Sequence, residues 1–357
     1  MVRREAGLQG SDSRVPDILV LADGVAVPGV MAARVVSSAT SSADRAQVTL
    51  AYHAGSASYW SGWAPSRLEV RIGIEGDWNS LFLGVVDLVA FDLTEGLVEI
   101  EARDLTALLI DCVVEQSFPN LTASDIVQQL AGQVGLVPVV TLTTGLVGRY
   151  WRSDFAKLAL GNYGRARSAW DILVFLAAEE VFDVYVSGDQ LYFTPASSSA
   201  SAGGVAVQNI VDASQCISLR LERSLRLAGN IEVGVRSWNS RTKQGCVATS
   251  LVAGNDGEIW KKMFVRPNLM IEDAQAIATH EAWELASHER VVCFSRPGEF
   301  LLGVRDLIVL SGSGLDFDQN YIVDEIEWVI GAERGFLEHV RARAMSAGRT
   351  VSVSGNM

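Results

Sequence analysis

Cysteine is scarce and scattered in this chain. Cys112, Cys216, Cys246 and Cys293 form no CxxC pair and have no histidine beside them, which excludes a redox motif or zinc ribbon and leaves free thiols, as in a reducing cytoplasm. Basic residues are few: 29 Lys and Arg stand against 42 Asp and Glu, for a net charge of -13 and a pI near 4.8. Tight nucleic-acid binding draws on Lys and Arg that displace counterions, so this balance argues against it. No Walker lysine is present, and Gly312-Ser313-Gly314 lacks the third glycine of a dinucleotide loop, Phe317 standing in its place; it reads as a turn. The longest charge-free stretch, Ile126 to Gly148, contains Gln, Thr, Gly and Pro138 and fails as a membrane helix. The opening MVRREAGLQG has no apolar signal-peptide core, so Asn120-Leu121-Thr122 carries little weight as a glycan acceptor, and no membrane insertion is expected.

What is abundant is apolar. Hydrophobic residues make up 49% of 357 positions and mean hydropathy is +0.22, enough for two or three cored domains. The value is high for an acidic monomer and points to apolar surface buried between subunits.

Along the chain the periodicity changes twice. DILVLADGVAVPG, RLEVRIGI, SLFLGVVDLVAF and LVEIEARD alternate as strands, so residues 17–115 read as one β domain. Residues 116–215 read as mixed α and β. There Thr122 with Asp125, and Ser168 with Asp171, form capping boxes opening two helices, the first closed by Gly135. VFDVYVSGDQLYFTP reads as a hairpin, and ASSSASAGG as a loop unable to pack. Strands resume in 216–348, with a helix inserted near 272–290. The fold class is mainly β with α+β insertions.

Two stretches imitate metal sites. His280-Glu281 and His288-Glu289 stand eight residues apart, roughly 12 Å of helical rise, too far to share one ion. Glu284 and His288 instead suit an i,i+4 pair. In LDFDQNYIVDEIE, Asp316, Asp318, Asn320, Asp324 and Glu327 take positions one, three, five, nine and twelve of a calcium loop, but Tyr321 occupies the glycine position and the flanks read as strands. A polar hairpin turn is the expectation. No catalytic set of Ser, His and Asp or paired carboxylates can be selected, and no cofactor is indicated.

GVVDLVAFDLTEGLVEIEARD resembles YIVDEIEWVIGAERGFLEHVRAR. Val86-Asp87 matches Val323-Asp324, Val89 and Phe91 answer Ile326 and Trp328, Glu99 answers Glu338, and each copy ends in Ala-Arg. A duplication is implied, in which Asp87 and Asp324 hold equivalent places. The bland alternative is two unrelated hairpins.

EARDLTALLID followed by NLTASDIVQQLAGQVGL, with SHERVVCFSRPGEFLLGVRDLIVLSGSGLDFDQNYIVDEIE later, resembles the baseplate hub proteins of contractile-tailed phages, the late control D-like family, and the hub module of type VI secretion spike proteins. That resemblance implies two similar tube-type β-barrel domains around the mixed middle region. It implies a homotrimer adapting a six-fold tail tube to a three-fold spike, within a virion baseplate assembled in the host cytoplasm. Its implied partners are the tail tube protein, a separate central spike protein and baseplate wedge proteins, with DNA and tape-measure protein passing through. It brings no catalytic residues. A hydrolase and a calcium-dependent adhesin are the alternatives, the first needing a pocket of perturbed carboxylates and the second metal-linked stability.

Millimolar calcium is expected to leave the melting temperature of the parent and of Asp318→Ala unchanged; a rise of several degrees in the parent, lost in the variant, would make the loop a metal site.

Overall fold

The computed structural model describes residues 17–62, 67–74, 77–116, 118, 120–147, 168–196, 209–239, 243–254, 259–298, 302–331, 335–345 and 351–356. The segment ASSSASAGG lies, after its first residue, outside them. The chain runs β1 (Asp17–Ala22), β2 (Val25–Ala26), β3 (Val30–Ser38), β4 (Arg45–Ala51), α1 (Ala54–Ser61), β5 (Arg67–Ile74), β6 (Asp77–Asp92), β7 (Leu97–Asp104) and α2 (Thr106–Ile110). A middle unit follows with α3 (Ala123–Val134), β8 (Val137–Val140), α4 (Ala169–Glu180), β9 (Phe182–Ser187) and β10 (Gln190–Pro195). The remainder is β11 (Asn209–Asp212), β12 (Ser218–Arg223), β13 (Ile231–Asn239), β14 (Gln244–Val252), β15 (Trp260–Val265), α5 (Ile271–Ser287), β16 (Arg290–Pro297), β17 (Leu307–Ser311), β18 (Asn320–Gly331), β19 (Gly335–Ala344) and β20 (Val351–Asn356).

Local chemistry sets the middle unit. Thr122 Oγ1 accepts from Asp125 N at 3.2 Å while Asp125 Oδ2 accepts from Thr122 N at 3.0 Å; Ser168 and Asp171 repeat the exchange at 3.1 and 3.2 Å. Each box satisfies amide donors that a helix start leaves without partners. Gly135 ends α3 at φ 76°, a left-handed turn that glycine adopts without strain. Ile126, Val127, Leu130, Leu173 and Leu176 then bury one core with Leu191 and Phe193 of the sheet β8-β10-β9.

The rest of the β structure is dominated by one thirteen-stranded sheet. Its first half is ordered β3-β4-β7-β6-β5-β1 and its second β12-β16-β19-β18-β17-β11. Taken in chain order, the six strands of one half answer the six of the other, which is the arrangement a duplication requires. All neighbours are antiparallel except β11 and β17, which run parallel. Where β3 meets β18, Ala32–Ser38 pair with Glu325–Gly331, so the halves form one sheet over one shared core. Strand pairing among the described residues closes neither half into a separate barrel; the path runs open from β12 to β2.

The region 216–348 is also not one sheet. β15-β13-β14-β20 form a four-stranded sheet of their own, with α5 packing Ala274, Ile277, Ala278 and Ala282 onto it. The helix inserted near 272–290 therefore belongs to this added layer. It and the middle unit are held together in part by Arg266, which pairs with the buried Glu179 of α4 at 3.7 Å.

The ladders also correct one equivalence. Ala102 opposite Val86 answers Ala342 opposite Val323, so Glu338 aligns with Val98, and Glu99 with His339. The turn of the second copy is shorter by one residue. In a strand one residue changes the face: Glu338 is fully buried, where its Oε2 accepts from Arg296 Nε at 3.0 Å, while Glu99 faces solvent.

Gly84 shows how tightly β6 sits on β7. A Cβ there would lie 2.1 Å from the Arg103 carbonyl oxygen and 2.5 Å from Phe82. Gly84→Ala is expected to lower the unfolding free energy by about 1–3 kcal/mol in urea titration, whereas Gly132→Ala, in open space on α3, raises it by up to about 1 kcal/mol.

Candidate functional site: the joint between the repeats

Each repeat carries a β-bulge at its Val-Asp. The β6 ladder shifts between Val86 and Leu88, and the β18 ladder between Val323 and Glu325, leaving Asp87 and Asp324 as the extra residues. Arg103, on the strand beside Asp87, reaches Asp87 Oδ1 and Asp111 Oδ2, both at 2.9 Å. Arg343, on the strand beside Asp324, reaches Asp324 Oδ1 and Glu284 Oε1, both at 2.9 Å. The two clamps have the same design: a bulge aspartate, an arginine from the next strand, and a second carboxylate from outside the sheet. The hydrogen bonds that Arg103 donates to Asp87 and Asp111 push its pKa above its already high ordinary value. Burial raises Asp324 against the pull of Arg343. Burial would also raise Glu284, but the hydrogen bond to His288 and the charge of Arg343 outweigh it, and its carboxyl falls below the ordinary range. His288 lies 3.8 Å from Glu284, one helical turn away.

The five calcium-spaced residues are spread over five separate tasks. Asp316 pairs with Arg290 at 2.8 Å, and Asp318 Oδ1 accepts from Ser313 N at 3.1 Å. Asn320 begins β18 opposite Val309, Asp324 sits in the bulge clamp, and Glu327 pairs with Arg34 across the joint. Tyr321, at the glycine position, is buried and donates its hydroxyl to Phe317 O at 2.8 Å. Gly312 and Gly314 turn at φ 75° and 71°. Among the described residues no cluster of three or more His, Cys, Asp or Glu is arranged to hold a metal, and no helix is long and apolar enough to cross a membrane.

A polar seam lies where both repeats meet the middle unit. A cavity of about 410 Å³ is lined there by Ser37, Asp44, Asp104, Tyr185, Arg305 and Trp328, among others. Arg305 belongs to the second repeat, donates to Ala39 O of the first at 3.1 Å, and lies over the Tyr185 ring of the middle unit at 4.1 Å. Burial lowers its pKa, with Asp183 opposing. Asp104 is buried and takes a 2.8 Å hydrogen bond from Thr106; burial first, and the Asp44 charge second, push its pKa up to about 7. Trp170 Nε1 closes the seam on Ser41 O at 3.0 Å. Sequence reasoning missed this group: its residues lie far apart along the chain and no local pattern links them. The capping residues Thr122, Asp125, Ser168 and Asp171 take no part in it.

Against this geometry the solved structures are informative. A tail protein from Neisseria meningitidis superposes with a TM-score of 0.68 at 12% identity, covering 92% of this chain and 97% of its own. The fold is that of phage tail proteins. The 43 kDa tail protein of prophage MuSo2 from Shewanella oneidensis gives 0.63 at 16% identity, over 94% and 98% of the two chains. An E. coli type VI secretion component, described as similar to the T4 bacteriophage tail proteins gp27 and gp5, gives 0.53 at 11% identity, over 90% and 76%. No family profile and no curated protein matches the sequence.

The protonated Asp104 sets a pH dependence. Its folded pKa lies above that of the unfolded chain, so the folded state binds the extra proton between about pH 4 and 7 and stability falls as pH rises through that window. Asp104→Asn keeps the acceptor for Thr106 and is expected to remove a downward slope on the order of 1 kcal/mol per pH unit, read as the difference between parent and variant in denaturant titrations at pH 5, 6, 7 and 8.

Proposed function

We propose that the chain is a structural hub of a phage tail baseplate: a homotrimer whose six repeats meet a six-fold tail tube on one side and a three-fold spike on the other. The observation that carries this reading is the repeated strand order within one chain, fused through β3 and β18. A trimer of a duplicated chain presents six related surfaces while keeping three-fold symmetry. The likeness to tail proteins over nearly the whole chain supports the same reading. In it the two sheet halves, completed in the assembly, are the two tube-type barrels, and the tail tube protein, spike protein and wedge proteins are the neighbours. DNA and tape-measure protein pass through the centre. Three copies at -13 each make an acidic passage that repels DNA rather than holding it. The particle is a virion component built in the host cytoplasm, and its role is mechanical rather than catalytic. A second reading, a hub-like part of a contractile injection or secretion device, is favoured by the likeness to the type VI component; the same trimer serves both.

Sedimentation of the purified chain is expected to give a trimer at micromolar concentration, and negative-stain images a ring with three-fold symmetry. A strict monomer at high micromolar concentration, even with a spike partner added, would overturn the hub reading.

A further inference from the structure

The joint between the repeats is used once inside the chain, and the same two surfaces are present a second time, unjoined. On its edge away from β19, β18 pairs first with β17 at Asn320–Ile322 and then, past its bulge, with β3 at Glu325–Gly331. β6 pairs with β5 up to Val85, and past its bulge the same edge, Leu88–Asp92, meets no strand among the described residues. β12, the counterpart of β3, pairs among the described residues with β16 alone. An edge with hydrogen-bonding groups open and apolar side chains exposed is a template for another strand. Phe91 is 36% and Leu88 52% exposed, whereas Trp328, the residue answering Phe91, is 7% exposed beneath the joint.

The ladders fix how the second joint fits. Val35 opposite Ala46 answers Leu221 opposite Val292, since Ala46 and Val292 face Ala102 and Ala342. One residue earlier, Arg34 answers Arg220. Along the other strand, Glu327, Trp328 and Val329 answer Ala90, Phe91 and Asp92. In the existing joint Val36, Val35 and Arg34 lie opposite Glu327, Trp328 and Val329. Transposed, Glu222, Leu221 and Arg220 face Ala90, Phe91 and Asp92. The aromatic again meets an aliphatic residue. Arg34 finds its acid in Glu327, two residues from the position directly opposite; Arg220, which pairs with Glu222 of its own strand at 2.8 Å and keeps its side chain 78% exposed, meets a further acid directly opposite in Asp92.

We propose that Leu88–Asp92 of β6 receives β12 of a second copy of this chain as an antiparallel strand, with Ala90 opposite Glu222 of the partner subunit, Phe91 opposite Leu221 of the partner subunit and Asp92 opposite Arg220 of the partner subunit. The contact is head-to-tail, since each copy offers one edge of each kind, and it alternates with the internal β3-β18 joint around the assembly. Closure after three copies rests on the hub reading; the register does not.

Opposed residues of antiparallel strands have Cα atoms about 4.5–5.5 Å apart, within disulfide reach. In the full chain carrying Ala90→Cys and Glu222→Cys, mild oxidation is expected to give linked dimers and trimers on non-reducing gels, about tenfold above the parent with its native cysteines. Ala90→Cys with Ser218→Cys, displaced by about 13 Å along β12, stays at the parent level. Separately, Arg220→Glu, which also breaks the exposed pair with Glu222, is expected to weaken association about tenfold while lowering the melting temperature of the dissociated chain by no more than the loss of one surface ion pair does. An assembly that sediments as a trimer yet links no better in register than out of register overturns this interface and leaves the hub reading standing. A chain that neither assembles nor links overturns both, and unchanged association in Arg220→Glu overturns the register.

Discussion

Between β3 and β18 the backbone of the first repeat hydrogen-bonds to that of the second, and the continuity of the whole sheet rests on this ladder. Without it each half would leave a strand edge and one side of a core in water. With it, Val35, Ile326, Trp328 and Ile330 belong to a single cluster with Val48 and Ile100 of the first repeat. The Asp87-Arg103 and Asp324-Arg343 clamps lie at the bulges where β6 leaves β5 and where β18 passes from β17 to β3. An extra residue there bends the strand and increases its twist, which is what lets β18 leave β17 and take up β3. The charged pairs hold this geometry, and the more exposed of them, Asp87-Arg103, adds little stability of its own.

Polar groups concentrate where three bodies must fit at once. Arg305 takes a left-handed backbone conformation, φ 74°, with its guanidinium between a carbonyl of one repeat and a tyrosine ring of the middle unit. Such a conformation costs on the order of 1 kcal/mol and persists where surrounding contacts determine it. Asp44 and Asp104 share the same seam, and burial disfavours the charge on each. An apolar joint would hold as well but would fix the relative orientation of the three bodies less closely, because hydrogen bonds are directional and apolar packing is not.

Much of this was legible in the sequence. Capping boxes at Thr122 and Ser168 depend on residues three apart, so a local reading finds them. The duplication was legible because Val-Asp at each bulge and Ala-Arg on the next strand recur with alternating apolar positions between. The same alternation hid the one-residue difference in turn length, so Glu99 was set beside Glu338 although they face opposite ways. It also hid the small sheet: IEVGVRSWN alternates like any strand of the large one, yet it pairs with β14 and β15 in a sheet whose far edge, β20, comes about a hundred residues later. The seam around Arg305 left no local trace, because Asp44, Asp104 and Tyr185 approach it only in the folded chain.

The edges of β6 and β12 that no described strand covers also bear on how such a protein is made. Strands that pair in antiparallel order pair equally well with unintended neighbours, and the exposed Leu88, Phe91 and Leu225 add apolar adhesion to open backbone groups. In the proposed assembly, newly synthesised chains face a race between correct capping of each edge and irregular clumping. A slow trickle of chain, or an edge left vacant after synthesis outpaces assembly, decides that race against the cell. Yield then depends on the timing of synthesis as much as on the stability of the folded chain.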